Sequence, residues 1–350
     1  MFLYFFPFFI SFVYSAIGRP GRIAYFFLAC LLIALCALQA PGVSEDHLNY
    51  VNYVSGISDG TVGVFFIEPT FYILTKLSLL LTGGNALMFL IYAILGVGIK
   101  LYLSKEISGY YWFSASIYIS YFFFLQDFTQ IRIGVAMSFV LLSTFRFYEG
   151  KRLSASLLFL CAIFFHYSTA FFLPFFLLFY FNNARFALAL YLLCFVFLLL
   201  FILDVSLTQG LLSVASSMSI ERLSFYIENA LAGEGGGINL VRVLFHFVLL
   251  TPPVLLFDRI KRQSSFISYA VIVHLCGLIV LLLLHDLQVF AYRISDIFNG
   301  FMMFSLISYI VIFGRLVGGA MILSVALFQL VYVLVILGFV NPYTSVLGVL

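Results

Sequence analysis

Apolar runs separated by short polar islands follow one another along almost the whole 350-residue chain. Runs of roughly 17–25 apolar residues are long enough to cross a bilayer as helices. No window alternates polar and apolar positions with strand period, which excludes a transmembrane barrel. The pattern predicts spans near 3–17, 23–40, 85–103, 108–125, 133–148, 153–166, 168–181, 186–203, 240–257, 266–284, 296–313 and 317–338. The expected fold is an all-α integral membrane protein: a polytopic helical bundle of about 12 transmembrane helices in a single membrane domain, 1–350. One apolar segment, "VFFIEPTFYILTKLSLLL" (64–81), carries Glu68, Pro69 and Lys76. It reads as a re-entrant or interfacial helix and not as a lipid-facing span. The stretch 153–181 is short for two crossings, which predicts a broken helix pair near His166. Two polar connections are long, 41–64 and 204–239. In the second, Leu211, Val214, Met218 and Leu223 recur at helical spacing, as in an amphipathic surface helix.

Composition makes the membrane reading firm. The chain is 64% hydrophobic and 9% charged, against about 45–50% and about 25% in soluble globules. The opening "MFLYFFPFFISFVYSAI" has no basic start and no small-residue cleavage site, so it is expected to stay as the first helix. All five cysteines fall inside apolar segments at scattered spacing and read as small fillers, neither disulfides nor metal ligands. No metal, cofactor or nucleic acid is expected.

The placement of the charges says more than their sum of +3. Basic residues collect at Arg19/Arg22, Lys100/Lys105, Lys151/Arg152, Arg185, Arg259/Lys261/Arg262 and Arg315, which marks these turns as cytoplasmic. Glu45, Asp46, Asp59, Asp127, Asp204, Glu221, Glu228, Glu234, Asp286 and Asp296 mark the opposite, outer side.

With that orientation the polar residues that break the apolar pattern converge on the outer face. Gln130 and Arg132 stand at the outer end of "TQIRIGVAM", Arg293 lies in "QVFAYRISDIF", Arg222 in the large loop and Arg242 near the start of the next span. His166 sits in "FFHYS" between two half-helices, Glu68 opens the re-entrant segment, and Asp46, Tyr50 and Tyr53 are spaced for one helical face. Guanidiniums suit planar, bidentate binding of phosphate oxygens. A nearby His166, Asp46 or Glu68 could take a hydroxyl proton, and the 19% of aromatic residues suit sugar faces and isoprenoid chains. The plainer reading of an arginine at a helix end is a snorkelling anchor or a local ion pair, here with Asp127 or Asp296. Single histidines such as His166, His246 and His274 more often pack.

The order of these motifs resembles the EpsG/Wzy-type polysaccharide polymerases. "EDHLNYVNYV" followed by "IEPTFYILTKL" is similar to that family's Asp-aromatic-x-x-Tyr stretch and Glu-Pro segment. "TQIRIGVAMSFVLLSTFRFYEGKRLSASLLFLCAIFFHYSTAFFLPFF" looks like its Ile-Arg helix, basic turn and His-x-Ser before a Pro-containing helix, and "FAYRISDIFNGFMMF" like its late aromatic-Arg element. The chain departs at His47, where an aromatic is usual, at Ile133, and at Ser295/Asp296. The resemblance implies a metal-independent glycosyltransferase that joins undecaprenyl-diphosphate-linked oligosaccharide repeat units at the outer face of the bacterial inner membrane. It implies functional roles for Asp46, Tyr50, Glu68, Arg132, His166 and Arg293, and a flippase and chain-length regulator of the same pathway as partners. An O-antigen ligase-like transferase would share the arginines and the lipid donor. A flippase for lipid-linked oligosaccharides would instead need polar residues along a path through both leaflets.

Overall fold

The computed structural model describes residues 2–18, 21–64, 67–205 and 238–347. Arg222 and the expected amphipathic helix of the second long connection lie outside the described residues. The chain divides into two compact units, Met1–Ala170 with Phe313–Leu350, and Phe171–Ile312.

The first unit begins with α1 (Phe2–Ile17), α2 (Arg22–Ala37), α3 (His47–Ser58), α4 (Pro69–Thr82) and α5 (Ala86–Ile107). It continues with α6 (Tyr111–Ile117), which runs on as a π-helix over Tyr118–Thr129, then α7 (Ile131–Tyr148) and α8 (Arg152–Phe165). A 3₁₀ segment, Tyr167–Phe181, leads into the second unit. There follow α9 (Ala184–Ile202), α10 (Leu240–Leu255), α11 (Phe257–Gln263), α12 (Ser265–Leu283), α13 (Gln288–Asn299), α14 (Met302–Ser305) and α15 (Ser308–Val331). Among the described residues the only strand-like pairing is two isolated bridges, Gln39 with Ser345 and Ser44 with Val340, which tie the C-terminal segment to the end of α2.

Among the described residues five helical stretches are long and apolar enough to cross a membrane: Ala86–Ile107, Ile131–Tyr148, Ala184–Ile202, Ser265–Leu283 and Ser308–Ile336. Leu240–Leu255 with Phe257–Gln263, bent by 71°, makes a sixth. Phe2–Ile17, Arg22–Ala37, Arg152–Phe165 and Tyr167–Phe181 are shorter. The 3₁₀ segment has 15 residues, yet at a rise of about 2.0 Å per residue it is about 30 Å long. Tighter winding supplies the length that 153–181 lacks as two ordinary helices. The break falls at His166, whose backbone is extended (φ −159°, ψ 115°).

Two expectations need correction. The span predicted at 296–313 is not one helix: α13 ends at Asn299, α14 is a single turn, and the chain turns again through Gly314 (φ 78°) inside α15. Ser305 and Ser308 return their hydroxyls to backbone carbonyls here, the local competition that interrupts helices. The connection 41–64 is half helical, because α3 lies inside it. The segment 64–81 forms a separate helix, α4, opened by Pro69 at its first position and closed by Gly83 with φ 67°. Its 14 residues measure about 21 Å, short of the roughly 30 Å of a hydrocarbon core.

Loop charges predict Lys100 and Asp127 on opposite faces, and the structure puts them together. Lys100 Nζ donates to both carboxylate oxygens of Asp127, at 2.8 and 2.7 Å, and to the Gly134 carbonyl at 2.8 Å. Tyr118 adds its hydroxyl at 2.7 Å. Both charged side chains are 1% exposed. All three ammonium protons are therefore used, which is the condition under which a buried pair can be tolerated. The π-helix carries Asp127 inward, and two glycines make room for it. A Cβ at Gly96 would overlap Asp127 Oδ1, and one at Gly134 would lie 2.7 Å from it.

Gly96→Ala should therefore destabilise the protein by about 1–3 kcal/mol, the cost of overpacking a rigid site. Gly98→Ala, on the same helix with nothing within 4 Å of its Cβ, should be neutral or slightly stabilising. Thermal unfolding in detergent distinguishes the two; equal melting temperatures would mean that Asp127 is not held in place.

In the second unit α12 is buried on nearly every side, as an all-round apolar helix should be. It carries His274, whose Nε2 lies 2.9 Å from His246 Nδ1 and whose Nδ1 lies 2.9 Å from Ser305 Oγ. Phe172 and Phe175 of the 3₁₀ segment pack on Phe298, and Phe172 stacks on Phe301.

Candidate functional site

Three of the expected residues meet around one carboxylate. Glu68 is placed by α4: its backbone is extended at the helix N-cap (φ −60°, ψ 140°), with Pro69 fixing the first turn behind it. One oxygen, Oε2, accepts from Arg132 Nη1. The other, Oε1, lies 2.8 Å from His166 Nδ1. Arg132 comes from the first turn of α7 and His166 from the break after α8. A cation in the first helical turn opposes the helix dipole, and Glu68 offsets that cost. Arg132 therefore neither snorkels freely nor pairs with Asp127, which is committed to Lys100.

The guanidinium is held among ring faces. Its central carbon lies 5.5 Å from the Tyr50 ring, 5.8 Å from Tyr53 and 5.8 Å from Phe71, each contact worth about 0.5–2 kcal/mol depending on desolvation. Tyr50 and Tyr53 are supplied by α3, so the spacing in "DHLNYVNYV" does present one face to the site. Arg132 Nε is buried and finds no hydrogen-bond partner among the described residues. The side chain as a whole is 23% exposed and Glu68 is 7% exposed. Rings thus cover the guanidinium faces while donors remain at its edge.

Burial pushes the Glu68 carboxyl up, but the His166 hydrogen bond and the Arg132 charge outweigh it and hold the group at about 2. Glu68 is therefore an ionised acceptor toward both neighbours. An ionised carboxylate can only accept, so His166 Nδ1 carries the proton of this hydrogen bond, and in the neutral ring Nε2 is the atom with the lone pair. Among the described residues Nε2 has no hydrogen-bond partner. Burial raises the Tyr50 hydroxyl, which keeps it a protonated donor.

Asp46 is the N-cap residue of α3, half-buried, with its charge near Tyr50. Gln130 is the N-cap of α7 and contributes backbone geometry there. His47, where an aromatic was expected, behaves as one: its ring stacks on Phe89 at 4.5 Å and 10°. Burial pushes it down to about 4, so it stays neutral.

Arg242 and Arg293 belong to the second unit. Arg242 Nη2 donates to Asp296 Oδ1 at 2.6 Å and lies 4.6 Å from the Tyr292 ring. Asp296 is thus paired across helices with Arg242, while Arg293 is exposed on α13. Among the described residues no three His, Cys, Asp or Glu side chains cluster as a metal site.

Sequence reasoning missed Phe71 and Tyr92. Phe71 follows Glu68 by three positions in "EPTF", so helical spacing after the proline signals that it shares the carboxylate's side. Tyr92 is buried on α5 between Phe71 and Phe165, and nothing in its local sequence distinguishes it from the surrounding apolar run.

No curated protein and no solved structure matches the chain. The EpsG family model matches residues 22–345, which takes in every element that builds the Arg132 site. The protein belongs to the EpsG family, a multi-pass membrane group of the polysaccharide polymerase type.

Proposed function

We propose that the protein lengthens a bacterial polysaccharide by transferring a glycan from an undecaprenyl diphosphate donor to a hydroxyl of a second lipid-linked repeat unit, at the periplasmic face of the inner membrane. The observation that carries this reading is one ionised carboxylate, Glu68, holding an arginine by one oxygen and a histidine by the other. His166 Nε2 takes the acceptor hydroxyl proton as the oxygen attacks the anomeric carbon. The bond from that carbon to the diphosphate oxygen breaks, and polyprenyl diphosphate leaves with the electron pair. Arg132 meets the charge that develops on the leaving phosphate through the edge donors that Glu68 does not occupy. Tyr50 and Tyr53 offer a hydroxyl and ring faces to the sugar.

The basic-loop asymmetry supports the orientation, because the Arg132 end of α7 carries few cations and its other end carries Arg146, Lys151 and Arg152. A flippase delivering repeat units and a chain-length regulator are the partners this chemistry needs.

The test is a purified-protein assay with a lipid-diphosphate-linked oligosaccharide as both donor and acceptor. Wild type should release polyprenyl diphosphate and form lipid-linked dimers and longer chains. Arg132→Lys, which keeps charge but loses the planar fork, should slow this about 100-fold, the cost of losing an oriented donor. Transfer only to a lipid core would make the protein ligase-like, and movement of the lipid across vesicles without bond formation would make it a flippase. Unchanged chain growth in Arg132→Lys would remove the diphosphate role.

A further inference from the structure

At the far end of the first unit, away from Arg132, the turn between α1 and α2 meets α6 and the start of α15. A cavity of about 300 Å³ opens there, with Arg315, Tyr14, Tyr111 and Trp112 in its wall. A second cavity of about 220 Å³ shares Tyr111 and adds Arg22 and Lys105. Among the described residues no acidic side chain lines either one. Three cations thus face two adjoining hollows with nothing acidic in the walls.

The place is built for its arginine. Arg315 Nη2 donates to the Ser15 carbonyl at 3.1 Å, and a Cβ on Gly18 would overlap the guanidinium. Gly18 has φ +73°, a conformation that other residues rarely adopt. Gly21, at the other side of the same turn, leaves space for the Tyr14 ring, which stacks on Trp112 at 4.5 Å and 13°. Tyr111 lines both cavities, and its hydroxyl is buried with no hydrogen-bond partner among the described residues. A donor without an acceptor, beside three cations, suits phosphate oxygens.

The residue after Arg315 begins a separate, apolar hollow. From Arg315 along α15, Leu316, Val317, Met321 and Val325 line a groove of about 540 Å³, and Leu316 is 87% exposed. A soluble phosphate would use only the first part. We propose that this is a binding site for one anionic phospholipid, its phosphate on Arg315 and the Tyr111 hydroxyl and its acyl chains along the α15 groove. Basic residues beside membrane helices mark the cytoplasmic leaflet, so the lipid sits in the leaflet opposite the Arg132 site.

The full-length protein in detergent, titrated with phosphatidylglycerol or phosphatidylcholine and read by native mass spectrometry, tests this. Wild type should retain one phosphatidylglycerol about five- to tenfold more tightly than phosphatidylcholine, the preference expected from one or two cations at the phosphate. Arg315→Gln should lose that preference, and Arg259→Gln, a basic residue of the second unit, should keep it. Arg315 is exposed, so its replacement should leave folding intact; melting temperature without lipid checks that. Tyr111→Phe removes only the hydroxyl and should lower retention as well. Equal retention of the two lipids, or of phosphatidylglycerol by wild type and Arg315→Gln, would overturn the proposal. A stabilisation by inorganic phosphate equal to that by the lipid, and abolished in Arg315→Gln, would replace the lipid with a soluble anion.

Discussion

Glu68→Gln should nearly abolish polymer formation, by a factor of about 1,000–10,000, while the protein still folds. Glutamine has the shape of glutamate but one acceptor end and one donor end. If its oxygen faces Arg132, its amide group faces His166 Nδ1 and forces the ring proton to Nε2, where it blocks proton abstraction. If its oxygen faces His166, two sets of N–H donors face each other at Arg132. Either orientation spoils one arm of the site, and losing the carboxylate that orients a catalytic imidazole costs about 10,000-fold where the geometry is otherwise kept. The assay is rate of diphosphate release beside a thermal melt. The melt carries its own signature, because the folded carboxyl is held at about 2, below the unfolded value of about 4.3. Its stabilising contribution is complete above the unfolded value and fades as pH falls through about 2. Wild type should therefore lose its melting advantage over Glu68→Gln as pH is lowered through that window. A variant that polymerises at the wild-type rate would return the Arg132, Glu68 and His166 cluster to a purely structural role.

Asp127→Ala should cost about 3–5 kcal/mol, enough to leave little folded protein in the membrane, because it strands Lys100 as a buried and uncompensated ammonium. Three interactions of Lys100 and Tyr118 end on that one carboxylate. Asp127→Asn keeps the shape and one acceptor and should fall between the two. Removing both charges is different in kind: Lys100→Met with Asp127→Leu replaces a buried pair by apolar volume, which is often neutral or better. Folded yield in detergent measures all three. Should Asp127→Ala fold as well as the double variant, the ammonium must reach water, contrary to its 1% exposure.

The legible part of this fold was the part written in local periodicity. The α1, α2, α5, α7, α9 and α12 segments follow apolar runs, and the break at His166 follows from a run too short for two helices. The two aromatic-bearing positions of α3 and the carboxylate of α4 were visible because polar residues are conspicuous in an oily sequence. What could not be read was pairing. Lys100 looked like a helix-end cation, since Lys105 in the last turn of α5 is one, and a charge gives no sign of its partner 27 positions away. Asp296 was within one turn of Arg293 and yet meets Arg242, because tertiary packing overrides the nearest helical neighbour. The 296–313 run failed for a related reason: hydropathy is high throughout, and only serine hydroxyls returning to the backbone reveal the turns.

The Lys100–Asp127 arrangement also constrains how the sequence can drift. Losing the lysine first buries a lone carboxylate, and losing the aspartate first buries a lone ammonium, so each single step passes through a poorly folded intermediate. Gly96 and Gly134 cannot gain a methyl group while the carboxylate is present. Four positions on three separate stretches of chain are thereby tied together by history as well as by contact. A lineage that once acquires this quartet keeps it, because every exit requires two changes at once.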